Sequence, residues 1–129
     1  MKIVLLAGPL GSGKTSVLKH LIPLLGDEGP LRYAKIDCIE TRDDKTIEAL
    51  GVASEARLSD PFCPDHELAE ALPVWVNEGL HADLAYLIVE TAGLCARCSP
   101  YLEESLAVVV VEATAGLDTV DKLGPLMST

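Results

Sequence analysis

Eight consecutive residues near the start of the chain, Gly8-Pro9-Leu10-Gly11-Ser12-Gly13-Lys14-Thr15, carry the spacing G-x-x-x-x-G-K-T. The apolar run Ile3 to Ala7 precedes them and the helix-forming stretch Ser16 to Ile22 follows. Strand, glycine loop and helix in that order form the setting of a phosphate-binding loop. Glycine permits the backbone torsions that let successive N–H groups curl round an anion. Gly8, Leu10, Gly11, Ser12, Gly13, Lys14, Thr15 and Ser16 are therefore the candidate phosphate contacts. Lys14 can reach the β- and γ-phosphates, the Thr15 hydroxyl can ligate Mg²⁺, and the helix aims its positive end at the same place.

A second group of residues follows another apolar run. Glu90-Thr91-Ala92-Gly93 closes the segment that begins at Leu84. An acid at the end of a neighbouring strand commonly helps hold Mg²⁺, which suits Glu90. Gly93 can offer its N–H to the γ-phosphate and move when that phosphate leaves. Asp37 occupies the matching place after Leu31 to Ile36. It could bind Mg²⁺ through water, orient the attacking water, or simply solvate a strand end. Lys14, Asp37 and Glu90 form the candidate catalytic set.

Sulfur and nitrogen ligands form a third group. Cys95-Ala96-Arg97-Cys98 is C-x-x-C, and Cys63-Pro64-Asp65-His66 is C-x-x-H. Together they could supply a tetrahedral site for Zn²⁺ or another borderline-soft cation. Each chain of a dimer could instead contribute part of the set. Cys95 and Cys98 alone could form a redox pair. Cys38, next to Asp37, could join a site or simply pack, while His20, His81 and Trp75 read as packing or solvated residues.

The elements that must position these groups alternate. Strands are expected at Lys2 to Ala7, Leu31 to Asp37, Leu84 to Glu90 and Ala107 to about Ala113, the last the plainest buried strand of the chain. Helices are expected at Lys14 to Leu25, Lys45 to Leu50 and Asp65 to Gly79, with Pro73 kinking or splitting the third. Val52 to Pro64 shows no periodicity and reads as a mobile connection. Tyr101 to Glu104 suits a turn of helix, and Ala115 to Thr129 loop with one short helix. Such alternation gives an α/β fold, a three-layer sandwich on a mostly parallel sheet. Ligands then bind at the carboxyl ends of the strands, where Gly8 to Thr15, Asp37, Glu90 and the loop after Glu90 lie.

Bulk properties narrow the functions. The chain has 129 residues, suited to one domain over 1–129, and a formal charge of −10. That charge argues against a nucleic-acid surface. No stretch is long and apolar enough to span a bilayer, and no signal peptide is evident, so a cytoplasmic location is expected. Reduced cysteines favour metal or redox roles over structural disulfides.

The pattern resembles the metallochaperone GTPases of the UreG, HypB and CobW groups. The likeness rests on Gly8 to Thr15 and on Glu90-Thr91-Ala92-Gly93, similar to the family's Glu-Ser/Thr-x-Gly. It also rests on Cys63-Pro64 with His66, close to the urease group's Cys-Pro-His, and on Asp37 followed by Thr41 to Asp44. The resemblance implies a P-loop NTPase that hydrolyses GTP, dimerises with nucleotide and metal, and delivers nickel, cobalt or zinc to a client metalloenzyme or its assembly factor. ATP remains open as the nucleotide, because nothing matches the family's Asn-Lys-x-Asp base-reading segment. The later strands of the family's sheet are also unmatched, so a C-terminally truncated domain is expected. Asp65 is an insertion relative to Cys-Pro-His, and Cys95 with Cys98 is not general to the family. Two other functions fit the same loop: a small-molecule kinase, and a non-enzymatic redox or metal sensor built on Cys95 and Cys98.

Overall fold

The computed structural model describes residues 1–9, 11–37, 43–59, 63–91 and 105–114. Leu10, Cys38, Thr41, Arg42, Gly93, Cys95 and Cys98 lie outside the described residues, as do the expected turn at Tyr101 to Glu104 and the segment from Ala115 onward.

The elements run β1 (Lys2–Ala7), α1 (Lys14–Gly26), β2 (Leu31–Asp37), α2 (Asp43–Glu48), β3 (Ala53–Leu58), α3 (Pro64–His81), β4 (Tyr86–Thr91) and β5 (Ser105–Val109). The strands make one sheet in the order β3-β2-β4-β1-β5, and every pairing is parallel. Parallel neighbours need crossovers, which α1, α2 and α3 supply from β1 to β4. All strands therefore point their carboxyl ends to one edge.

Strand alternation divides the core in two. Val4, Leu6, Tyr33, Tyr86 and Ile88 pack with Leu18 and Ile22 of α1 and Ile47 of α2. Ile3, Leu5, Ala34, Ile36, Leu87 and Val89 pack with Leu68, Ala71, Leu72 and Trp75 of α3. This is the expected sandwich, with helices covering both faces of a sheet whose central strands are apolar on both sides.

Three expectations need correction. Val52 to Pro64 contains a strand, β3, in register with β2 from Arg32↔Ala53 to Asp37↔Leu58. Its sequence, Ala-Ser-Glu-Ala-Arg-Leu, lacks the β-branched residues and alternation that mark a strand. β2 recruits it through backbone hydrogen bonds, which need no particular side chain. Secondly, Ser105–Val109 is not deeply buried; it pairs with β1 on one side and Leu106 is 63% exposed. A short apolar run looks alike at an edge and at a centre. Thirdly, of the two outcomes expected at Pro73, splitting does not occur, since α3 runs on through it. An interior proline costs a helix about 3 kcal/mol. Burying Leu68, Leu72 and Trp75, each at most 2% exposed, returns about 1.5–3 kcal/mol apiece and more for the indole.

Candidate functional site

The loop after β1 is shaped by close approach and by left-handed backbone. A Cβ on Gly8 would strike the carbonyl oxygen of Val110 and lie 2.9 Å from Ser12 Oγ. Val110 is held there because its N–H donates to Ala7 O at 2.8 Å. Gly11 and Gly13 have φ of 76° and 93°, a region that side chains disfavour. Gly13 is the N-cap of α1 and provides no side-chain cap, and no acid occupies the first turn. The start of α1 thus presents the positive end of the helix to an anion, with no acidic side chain to compete for it.

Lys14 is buried, and its Nζ donates to Gly8 O at 2.8 Å and Pro9 O at 2.9 Å. Ser12 Oγ is buried with no hydrogen-bond partner among the described residues. Such an orphan costs about 1–3 kcal/mol, so a hydroxyl left this way suits a site that a ligand completes. Gly11, Ser12, Gly13, Lys14, Thr15, Ser16, Lys35 and Glu90 line a cleft of about 290 Å³. That space holds on the order of ten waters, room for a polyphosphate.

Glu90 enters this cleft because of register. It pairs with Leu6 of β1 on one side and Lys35 of β2 on the other, in the middle of the sheet. It is 1% exposed, and Tyr33 Oη donates to its Oε2 at 2.6 Å. Lys35 Nζ lies 3.5 Å from Glu90 Oε1 and 3.3 Å from Asp37 Oδ2. Tyr33, Lys35 and Asp37 alternate along β2, so all three face α1 and the loop. Asp37 therefore adjoins the cleft through Lys35. The Thr15 hydroxyl and the carboxylates of Glu90 and Asp37 are an all-oxygen donor set, which fits a hard cation such as Mg²⁺.

Thr91, the next residue, faces the other side of the sheet. Its Oγ1 donates to Asp65 Oδ1 at 3.3 Å, and both side chains are at most 2% exposed. Asp65 lies in the first turn of α3, between Cys63 and His66. Cys63 is the N-cap, exposed and free, and its Sγ accepts from His66 N–H at 3.4 Å. Among the described residues no group of three or more His, Cys, Asp or Glu is arranged to hold a metal. Cys63 and His66 are a sulfur–nitrogen pair at helical spacing, chemically suited to a softer ion than the Glu90 side.

The structure thus gathers Gly8, Gly11 to Ser16, Asp37 and Glu90 at one edge of the sheet, and sets Cys63 and His66 across it. His20 and His81 are exposed, while Trp75 is core. Reading the sequence overlooked Tyr33, Lys35 and the bonding role of Asp65. Lys35 did carry a signal: a lysine inside an apolar strand, two residues before an acid, must share that acid's face. Asp65 carried none, since its partner is 26 residues away.

A model of the CobW/HypB/UreG nucleotide-binding domain matches residues 2–121. An uncharacterized protein of Methanocaldococcus jannaschii is 42% identical over 134 aligned residues, covering 100% of this chain and 55% of that protein. The urease accessory protein UreG of Trichodesmium erythraeum is 28% identical over 131, covering 93% of this chain and 61% of its own length. The chain thus spans little more than half of the relatives it matches. HypB from Helicobacter pylori, solved in complex with nickel, superposes with a TM-score of 0.71 at 20% identity, covering 98% of this chain and 59% of that one. That likeness shows the P-loop NTPase fold, and the family match extends over all the residues that line the cleft. This chain belongs to the CobW/HypB/UreG nucleotide-binding domain family.

Proposed function

We propose that this domain is the nucleotide-hydrolysing part of a metallochaperone, in which the state of the nucleotide sets the hold on a transition metal. The nucleotide is GTP, with ATP as the alternative, since the loop grips phosphates that both nucleotides carry. Lys14 and the backbone of Gly8, Leu10, Gly11 to Ser16 and Gly93 bind the phosphates. Thr15, Glu90 and Asp37 hold Mg²⁺, which when bound supplies positive charge to the β- and γ-phosphate oxygens. Water attacks the γ-phosphorus in line, the bond to the β-γ bridging oxygen breaks, and nucleoside diphosphate, phosphate and a proton leave. Positioning and charge carry this reaction. Cys63, His66, Cys95 and Cys98 hold nickel, cobalt or zinc for a client metalloenzyme or its assembly factor, with dimerisation on nucleotide as a further expectation.

The observation that carries this reading is the end of β4. Glu90 and Thr91 are consecutive, so strand alternation sends them to opposite faces. One lines the phosphate cleft and the other bonds to Asp65, between Cys63 and His66. A movement of β4's end on loss of the γ-phosphate is therefore felt at the start of α3. This supports coupling of the two sites rather than mere coexistence. The insertion at Asp65, foreign to Cys-Pro-His, supplies the acceptor.

Competition titrations of Ni²⁺, Co²⁺ and Zn²⁺ against a chromophoric chelator, with a non-hydrolysable GTP analogue and then with GDP, test the proposal. Affinities differing by about fivefold or more between the two states are expected, the lower bound of ordinary coupling. Identical affinities for all three metals would refute it.

A further inference from the structure

Lys35 is unusual for its place. It lies mid-sheet on β2, 3% exposed, directly opposite Glu90 in register. A buried ammonium is costly unless matched, with a penalty of several kcal/mol per ion. Among the described residues the match includes two carboxylates, Glu90 at 3.5 Å and Asp37 at 3.3 Å, the same two acids assigned to Mg²⁺. Lys35 also lines the cleft with Gly11 to Ser16. One cationic nitrogen thus sits between the acids, at the rim of the space that phosphate would fill. The neighbouring partner of Glu90 is the neutral Tyr33 hydroxyl, which adds no charge.

We infer that Lys35 is a resident cation of the phosphate site, a positioning residue that gathers Glu90 and Asp37 and competes with the divalent ion for them. This rests on the proposed nucleotide function. Two consequences follow from charge alone. With Mg²⁺ removed, Lys35 still offsets the carboxylates that face the incoming phosphates, so nucleotide binding survives. With Lys35 removed, Glu90 and Asp37 lose the cation that lies between them, and nucleotide binding leans more heavily on a divalent ion. A lysine that merely fills the core produces neither effect.

The test uses fluorescent GTP and ATP, each titrated into the whole chain with excess Mg²⁺ and with EDTA. Wild type is expected to lose less than about tenfold in affinity in EDTA, since one charged contact is worth roughly tenfold to hundredfold. Lys35→Met, which keeps the unbranched stem and removes the ammonium, is expected to lose a further tenfold or so in EDTA and to recover with Mg²⁺. Lys35→Arg keeps the charge and stays near wild type. A wild-type loss beyond about tenfold overturns the proposal, and does so even where Lys35→Met fails to fold. So does a Lys35→Met profile parallel to wild type. A chain that binds neither nucleotide in any condition sinks the functional proposal instead. Lys35 is then judged by Mn²⁺ binding to the nucleotide-free protein, followed by electron paramagnetic resonance. There Lys35→Met should bind about tenfold more tightly than wild type, and equal binding overturns the inference.

Discussion

Thr91→Val isolates the link between the two faces of the sheet. Valine has threonine's shape and suits a strand at least as well, so the change removes one hydroxyl and little else. The lost bond joins Thr91 Oγ1 to the Asp65 carboxylate at 3.3 Å, with both side chains buried. Hydrogen bonds to charged groups contribute about 1.5–3 kcal/mol, and one of this length belongs at the lower end, about 1.5 kcal/mol. Unfolding entropy is about 2.1 cal/mol/K per residue, so for 129 residues the expected fall in Tm is about 5 °C. Calorimetry measures it. Nucleotide affinity should stay within about twofold, because Thr91 does not face the cleft. The ratio of metal affinities in the two nucleotide states should move towards one. A cycle with Asp65→Ala apportions the bond: the double variant should lose less than the sum of the singles by about 1 kcal/mol. A Tm within about 1 °C of wild type, or additive singles within about 0.3 kcal/mol, refutes the reasoning.

Gly8→Ala should destabilise the chain by about 1–3 kcal/mol, because its Cβ meets the Val110 carbonyl and Ser12 Oγ. Gly26→Ala is the control, since a Cβ there meets nothing within 4 Å and α1 gains up to about 1 kcal/mol. Urea midpoints should move in opposite directions at unchanged slope; a shared direction contradicts the packing described. Tyr33→Phe removes the 2.6 Å bond to Glu90 between fully buried groups and should cost about 2 kcal/mol. A loss below about 0.5 kcal/mol by denaturant titration shows that the hydroxyl does not hold Glu90.

The readable part of the site was the part built from neighbours in sequence. The loop from Gly8 to Thr15 needs glycine at fixed offsets and a lysine at the helix start, and these appear in one continuous string. Glu90 was readable for a related reason: a strand must end, and the acid marks the end. The strands at Lys2 and Leu31 were equally plain, because central parallel strands are apolar on both faces. β3 was not, because its residues contribute little packing and its pairing with β2 is backbone to backbone. The burial of Ser105–Val109 was overestimated for the converse reason. Apolar composition reports what a strand tolerates, whereas the neighbours it pairs with decide how far it is covered.

By itself the sequence determined the local chemistry: a glycine loop able to hold phosphate, acids closing two later apolar runs, and sulfur and nitrogen side chains in pairs. Tertiary structure alone decided which of these meet. Register put Lys35 opposite Glu90, and so placed a cation between two acids that the sequence separates by 53 residues. Strand alternation sent Thr91 away from Glu90 and onto Asp65. The physical reason is that pairing and facing are relations between strands. They depend on crossovers and sheet order, which no short window of residues contains.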